Sequence, residues 1–195
     1  MQNPNTPEFW NKSYESDRSY EDMKKKRTRS NLIIKEIGKH LKTNSRILDL
    51  GCGSGLISHE FRKEQIYYKG VDFSEAAIKK AKEHSPNFDF EIVDLNEYKI
   101  EEAYNIILVL DILEHIDNPD RLLKQAIRKG NIIIINSPFK DTVKAKMHIH
   151  EFDAEFFSKY LTEGLVSNIE LRVYNEKASG GKEFLIIMKN ENFNN

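Results

Sequence analysis

The 195-residue chain has one cysteine, no excess of either charge and no apolar run long enough to cross a bilayer. A lone thiol, Cys52, cannot close a disulfide within the chain, which points to a reducing compartment. Lys+Arg 30 against Asp+Glu 31 leaves a net charge of -1, so no bulk field recruits DNA, RNA or an anionic membrane. The start, Met1-Gln2-Asn3-Pro4, lacks the apolar core of a secretory leader. Together these absences predict a cytoplasmic protein with no membrane partner, and they disfavour a nucleic-acid partner without excluding a local basic patch. There is no internal repeat and no second domain. What is present is 39% hydrophobic and 31% charged residues, a globular composition on a chain long enough for one core. Residues 1–30 read as an N-terminal arm and 31–195 as a single domain.

The densest local signal runs from Ile47 to Gly55, I-L-D-L-G-C-G-S-G. A short apolar run enters Asp49, and glycines then alternate at Gly51, Gly53 and Gly55 before a segment of helical spacing, Leu56–Phe61. Strand, glycine loop and helix form the ligand-cradling half of a nucleotide-binding α/β unit, because glycine lets the backbone turn tightly and approach a ligand. Dinucleotide binding asks for G-x-G-x-x-G, but the third position here is Leu56 and the last glycine comes one residue early. Asp49 inside the motif would repel a pyrophosphate and suits a ligand carrying an ammonium and a sulfonium.

Two more acids follow at matching places. A second strand, Ile66–Asp72, ends in a carboxylate about 20 residues beyond the glycines, placed to accept the hydroxyls of a ribose. Phe73 comes next, and Ser74 caps the helix from Glu75 to Glu83. A third strand, Phe88–Val93, alternates Phe88, Phe90 and Ile92 and ends in Asp94-Leu95. Apolar Asn105–Leu110 reads as a central parallel strand running into Asp111. Pro119 then starts a helix with Leu122, Leu123, Ala126 and Ile127, and Asn131–Asn136 makes a fifth strand. Before all of these, Ser30–Leu41 carries a helical stripe of Leu32, Ile33, Ile34, Ile37 and Leu41. Asp153 caps a short helix whose buried face is Phe156, Phe157, Tyr160 and Leu161. The tail reads as two strands, Ile169–Tyr174 and Phe184–Met188, joined across Ala178-Ser179-Gly180-Gly181. The expected fold is α/β: a Rossmann-like seven-stranded sheet, mostly parallel, with a C-terminal antiparallel hairpin and helices on both faces.

The stretch D-L-G-C-G-S-G resembles motif I of the class I S-adenosylmethionine (SAM)-dependent methyltransferases. L-D-I-L-E-H-I and H-I-H-E-F-D-A-E-F-F are similar to segments of the ubiquinone-biosynthesis O-methyltransferases, with Asp111 where a Glu is usual. The resemblance covers about residues 46–160. It implies a methyltransferase domain that uses SAM, releases S-adenosylhomocysteine (SAH) and methylates a small-molecule acceptor, at oxygen rather than nitrogen. It also implies that Asp49, Gly51, Cys52, Gly53 and Gly55 hold the methionine end. Asp72 and Phe73 would hold the ribose, Asp94 and Leu95 the adenine, and Leu110 and Asp111 the floor of the pocket. No N-P-P-Y or D-P-P-Y segment of the amino-group methylases occurs, nor a Pro-Cys nucleophile of the cytosine enzymes.

SAM is already activated, so the protein mainly aligns an acceptor and removes its proton. His115, His148 and His150 are the expected bases, since imidazole titrates near neutrality. If residues 111–115 are helical, Asp111, Glu114 and His115 share one face and, with His148 or His150, form an oxygen and nitrogen set for a divalent metal. Small-RNA 2′-O-methyltransferases hold a metal with a comparable E-x-x-E-H motif. An RNA ribose 2′-O-methyltransferase, its groove built from Lys24–Arg29 and Lys140–Lys146, is therefore one alternative. A NAD-dependent reductase and a non-catalytic SAM-binding subunit are the others. Trp10, Tyr14 and Tyr20 of the arm either cover the ligand loop or pack on the domain surface, and Arg27 or Arg29 is in reach of the SAM carboxylate.

Overall fold

The apolar segments 106–109 and 132–135 are buried on both faces of a sheet only if helices cover both sides, and that is the architecture of the chain. The structure is a computed structural model that describes residues 4–16, 27–140, 145–176, 181–191 and 193. In chain order it runs α1 (Pro7–Glu15), α2 (Arg27–His40), β1 (Arg46–Leu50), α3 (Leu56–Phe61), β2 (Tyr67–Asp72), α4 (Glu75–His84), β3 (Asp89–Ile92) and β4 (Tyr104–Leu110). A single 3-10 turn, Leu113–His115, precedes α5 (Pro119–Lys129), β5 (Gly130–Pro138), α6 (Ala154–Thr162), β6 (Asn168–Glu176) and β7 (Gly181–Lys189). The seven strands lie in the order β3-β2-β1-β4-β5-β7-β6. The first five strands pair in parallel, and β7 runs antiparallel to both β5 and β6. Chain direction reverses its march between β1 and β4, the crevice where open sheets of this kind bind ligands.

Alternation inside the apolar strands feeds two cores. Leu48, Leu50, Ile107, Val109, Ile133 and Ile135 face the layer that holds Leu122, Leu123, Phe157 and Tyr160. Ile47, Ile106, Leu108, Ile132 and Ile134 face the opposite layer with Ile33, Ile37, Phe61 and Ile78. Helix starts follow their caps: Ser74 accepts from Ala77 N at 3.1 Å, Asn118 from Arg121 N at 2.9 Å and Asp153 from Phe156 N at 3.1 Å. Buried Glu36 of α2 receives Lys39 at 2.6 Å and Arg172 of β6 at 3.0 Å, tying that helix across the sheet edge.

Several expectations change. The third strand is shorter than Phe88–Val93, and Ile92 is 51% exposed because β3 is the sheet's edge and only Phe90 reaches the core. Leu161 is 43% exposed rather than buried, and Leu32 is also exposed; each lies just off the apolar stripe of its helix. Strands β5, β6 and β7 run three or four residues longer than read, since pairing continues past the apolar segment. Tyr20, Lys24–Lys26, the side chains of Arg27 and Arg29, residues 141–144 of the second basic segment and turn residues 178–180 lie outside the described residues. No helix among the described residues is long and apolar enough to cross a membrane.

Truncating Phe157, fully buried in α6, to alanine is expected to cost about 3–5 kcal/mol of unfolding free energy. Leu161→Ala on the same helix should cost no more than about 0.5 kcal/mol. Urea denaturation of both variants checks the assignment; equal losses would contradict it.

Candidate functional site

The strand ends of β1, β2 and β4 and the loops that follow them line a cavity of about 460 Å³. Its floor is the glycine loop, whose shape is set by bonds to β2. Gly51 N and Cys52 N both donate to Val71 O, at 2.8 and 3.0 Å. Asp72 completes the clamp: Oδ2 accepts from Gly53 N at 3.0 Å and Oδ1 from Ser74 N at 2.9 Å. Gly51, Gly53 and Gly55 all have positive φ, which explains the alternation in the sequence. Their duties differ. A Cβ on Gly53 would stand 2.5 Å from the Tyr14 hydroxyl, so this position admits α1 onto the loop. A Cβ on Gly55 would stand 3.0 Å from that of Ala81, so Gly55 lets α3 and α4 approach and does not face the cavity.

Asp49 is the least comfortable residue of the site. It is 2% exposed; Oδ2 accepts the Tyr68 hydroxyl at 2.5 Å, and Oδ1 has no partner. Burial pushes its pKa up to about 7, against the Tyr68 hydrogen bond, and the nearby Asp72 charge adds to the rise. Burial likewise raises Asp72 against the backbone N–H groups that favour its ionised form. Asp94 is exposed at the cavity rim, where its Oδ1 accepts from Asn96 N at 2.8 Å, and Leu95 is buried beside it. Cys52, Phe73, Leu110 and Asp111 all contribute to the lining.

The far end of the cavity departs from the expected geometry. Residues 111 and 112 are not helical: Asp111 has φ 52°, and only Leu113–His115 form a turn. The stacking of Asp111 over Glu114 and His115 therefore does not exist. Asp111 instead accepts from Asn136 Nδ2 at 2.7 Å, and the same amide donates to buried Glu183 at 3.0 Å. His150 is also displaced from the expected set. Its Nε2 donates to Ile116 O at 2.9 Å, and it does not line the cavity. The group that does converge is Glu114, His115 and His148, whose ligand-capable atoms lie within 4.8 Å of one another. Two bonds align the segments carrying them: Ile149 N donates to Glu114 O at 2.9 Å, and His115 Nδ1 donates to Met147 O at 3.0 Å. With Nδ1 committed to a carbonyl, Nε2 of a neutral His115 is the ring's acceptor.

The arm contributes what the sequence left open: Asn5, Trp10, Ser13 and Tyr14 line the cavity. Asn5 and Glu183 were not foreseen. Glu183 announces itself only as a lone acid before the apolar run Phe184–Met188, and Asn5 carries no signal at all. Six carboxylates line the cavity (Asp49, Asp72, Asp94, Asp111, Glu114 and Glu183), with no Lys or Arg among the described residues.

A family model described as a methyltransferase domain matches residues 41–179. The chain is 35% identical over 114 residues to a ubiquinone biosynthesis O-methyltransferase of Coxiella burnetii, a match covering 53% of this chain and 46% of that enzyme. The chain thus spans about half the length of that relative. Among solved structures, the N-terminal domain of EvdMO1 with SAH bound superposes with a TM-score of 0.67 at 14% identity, covering 83% of this chain and 81% of that one. The [4+2]-cyclase SpnF superposes with a TM-score of 0.62 at 16% identity, covering 81% and 80%. These likenesses show the fold, which evidently hosts more than one chemistry.

Because Asp49 titrates higher folded than unfolded, its contribution to stability is fully present below its ordinary value of 3.8 and is lost as pH rises through about 7. Relative to Asp49→Asn, the ligand-free chain should lose on the order of 2 kcal/mol between pH 5 and pH 8. Denaturant melts of both proteins at the two pH values measure this; parallel behaviour would show that Asp49 is ionised throughout.

Proposed function

This chain belongs to the methyltransferase-domain family, and from that premise we propose that it transfers a methyl group from SAM to an oxygen of an uncharged small-molecule acceptor. One observation carries the reading: a cavity at the C-terminal strand ends whose described lining carries six carboxylates and no Lys or Arg, with Asp49 Oδ1 still unpartnered. An ammonium is the group that an orphaned buried carboxylate oxygen favours, and a sulfonium is stabilised by the same field. The pyrophosphate of NAD and the phosphates of RNA meet their own sign of charge there, which weighs against the reductase and RNA readings.

In this reading Asp49 and the glycine loop at Gly51, Cys52 and Gly53 take the methionine end, while Gly55 supports the loop through packing. Asp72 accepts the ribose hydroxyls on the lone pairs that Gly53 N and Ser74 N leave available. Phe73, Asp94 and Leu95 flank the adenine, and Leu110 and Asp111 floor the pocket. His115 Nε2 takes the acceptor's proton as its oxygen bonds to the methyl carbon and the carbon–sulfur bond breaks, leaving SAH and a protonated imidazole. His148 shares this end of the cavity with Glu114; His150 has no part.

A second reading uses the same three residues differently. One carboxylate and two imidazoles are an acceptable set for Zn²⁺ or Mn²⁺, and a divalent cation there would hold the acceptor oxygen and lower its pKa. Titrating the EDTA-treated protein with each metal separates the two readings: heat that disappears in His148→Asn assigns the cation, and no heat assigns the base.

Calorimetry with SAM and SAH should give one site per chain, weakened about tenfold or more in Asp49→Asn, or about 1.4 kcal/mol. His115→Asn should retain SAH and lose about 100-fold or more in turnover, while His150→Ala stays active. In a screen of neutral hydroxyl compounds against their phosphorylated counterparts, only the neutral set should release SAH. Turnover with the phosphorylated set would refute the acceptor class.

A further inference from the structure

The arm touches both halves of the cavity through bonds that are not part of the binding machinery itself. At one end Asn11 Oδ1 accepts from Ser74 Oγ at 2.7 Å and from Ala76 N at 3.2 Å, seating α1 on the first turn of α4, two residues past Asp72. Tyr14, one helical turn further, puts its hydroxyl over Gly53. At the other end Asn5 Nδ2 donates to Met147 O at 2.9 Å, and its Oδ1 accepts the Trp10 indole N–H at 3.2 Å. Met147 O is the carbonyl that also accepts from His115 Nδ1. One backbone oxygen thus sets both the position of the arm and the tautomer of His115. The Trp10 ring stands edge-on to His115 at 5.4 Å, and His115 edge-on to His148 at 5.1 Å, so three rings wall one side of the cavity.

We propose that Trp10 and Asn5 are acceptor-positioning residues, and that α1 transmits occupancy of the cofactor half to them. The inference rests on the methyltransferase reading above. A ligand filling the cofactor half touches Ser13 and Tyr14, contacts available only with α1 seated, so its binding favours the seated helix. The seated helix delivers Asn5 to Met147 O and Trp10 to the face of His115. Cofactor binding therefore favours the completed acceptor wall, and the acceptor binds more tightly to the cofactor-loaded protein. Trp10 gives the acceptor a flat apolar surface beside the proton-accepting nitrogen, which selects planar, uncharged compounds over flexible or anionic ones.

Trp10 is the only tryptophan in the chain, so its fluorescence reports α1 directly. Acrylamide quenching of Trp10 should fall about twofold when SAH saturates the wild-type protein. Asn11→Ala should still bind SAH by calorimetry yet show no change in quenching. Asn11→Asp, which keeps an acceptor for Ser74 Oγ and Ala76 N at a helix start, should restore the change. Asn5→Ala, far from the core, should lose it as well and carries the test if Asn11→Ala does not fold. SAH binding without altered quenching in the wild type, or an undiminished change in both alanine variants, overturns the proposal. Absence of any SAH heat in the wild type instead removes the cofactor reading on which it stands.

Discussion

A carboxylate buried at the end of a central strand, with one oxygen satisfied and the other not, is the constraint around which this molecule is arranged. Asp49 sits where the apolar sheet stops and the glycine loop begins. Removing its charge from water is unfavourable, and a single Tyr68 hydroxyl offsets only part of that. Neighbouring Asp72 adds like charge rather than relief. A structure that keeps such a residue beside a cavity with no Lys or Arg among its described lining is poised for a positive ligand. Stability and affinity are coupled at this point, since the ionisation that weakens the empty protein is the one a cation would reward.

The sheet order converts that local feature into a site. Because β1 and β4 are neighbours although β2 and β3 intervene in the chain, Asp49 and Asp111 face one crevice. Parallel strands place every C-terminal end on the same rim, so acids that follow successive strands arrive together through the pairing of the strands that carry them. The antiparallel addition of β7 brings Glu183 to the same rim from the far end of the chain. A fold shared with a cyclase carries no activity of its own, so the chemistry has to be argued from Glu114, His115 and His148 and from the charge of the lining.

Local patterns in the chain are informative where they are periodic or conformational. Apolar runs at Ile47, Ile106 and Ile132 announced buried parallel strands, and Ser74, Pro119 and Asp153 announced helix starts. The glycine alternation announced three positive-φ positions, although not that Gly55 serves packing against Ala81 while Gly53 admits Tyr14. The histidines were harder. His148 and His150 differ by two residues in an irregular segment, and no periodicity says which one faces inward. Backbone bonds decide: Met147 O and Ile149 N engage the 114–115 turn, and His150 turns to Ile116 O. Asp111 would share a face with Glu114 and His115 only in a helix, and its backbone is instead held by Asn136 O in a left-handed conformation.

By itself the sequence determined the class of fold, the identity of the glycine loop and the succession of acids at strand ends, because these depend on short-range pattern and on the chirality of the backbone. Only the tertiary structure decided which histidines meet Glu114, that the arm reaches the cavity, and that six carboxylates and no Lys or Arg stand in its described lining. Those features join segments that are not neighbours in the chain, Glu114 with His148 and, farther apart, Asn5 with Met147, and no local periodicity encodes a contact whose geometry is set by the packing of the whole sheet.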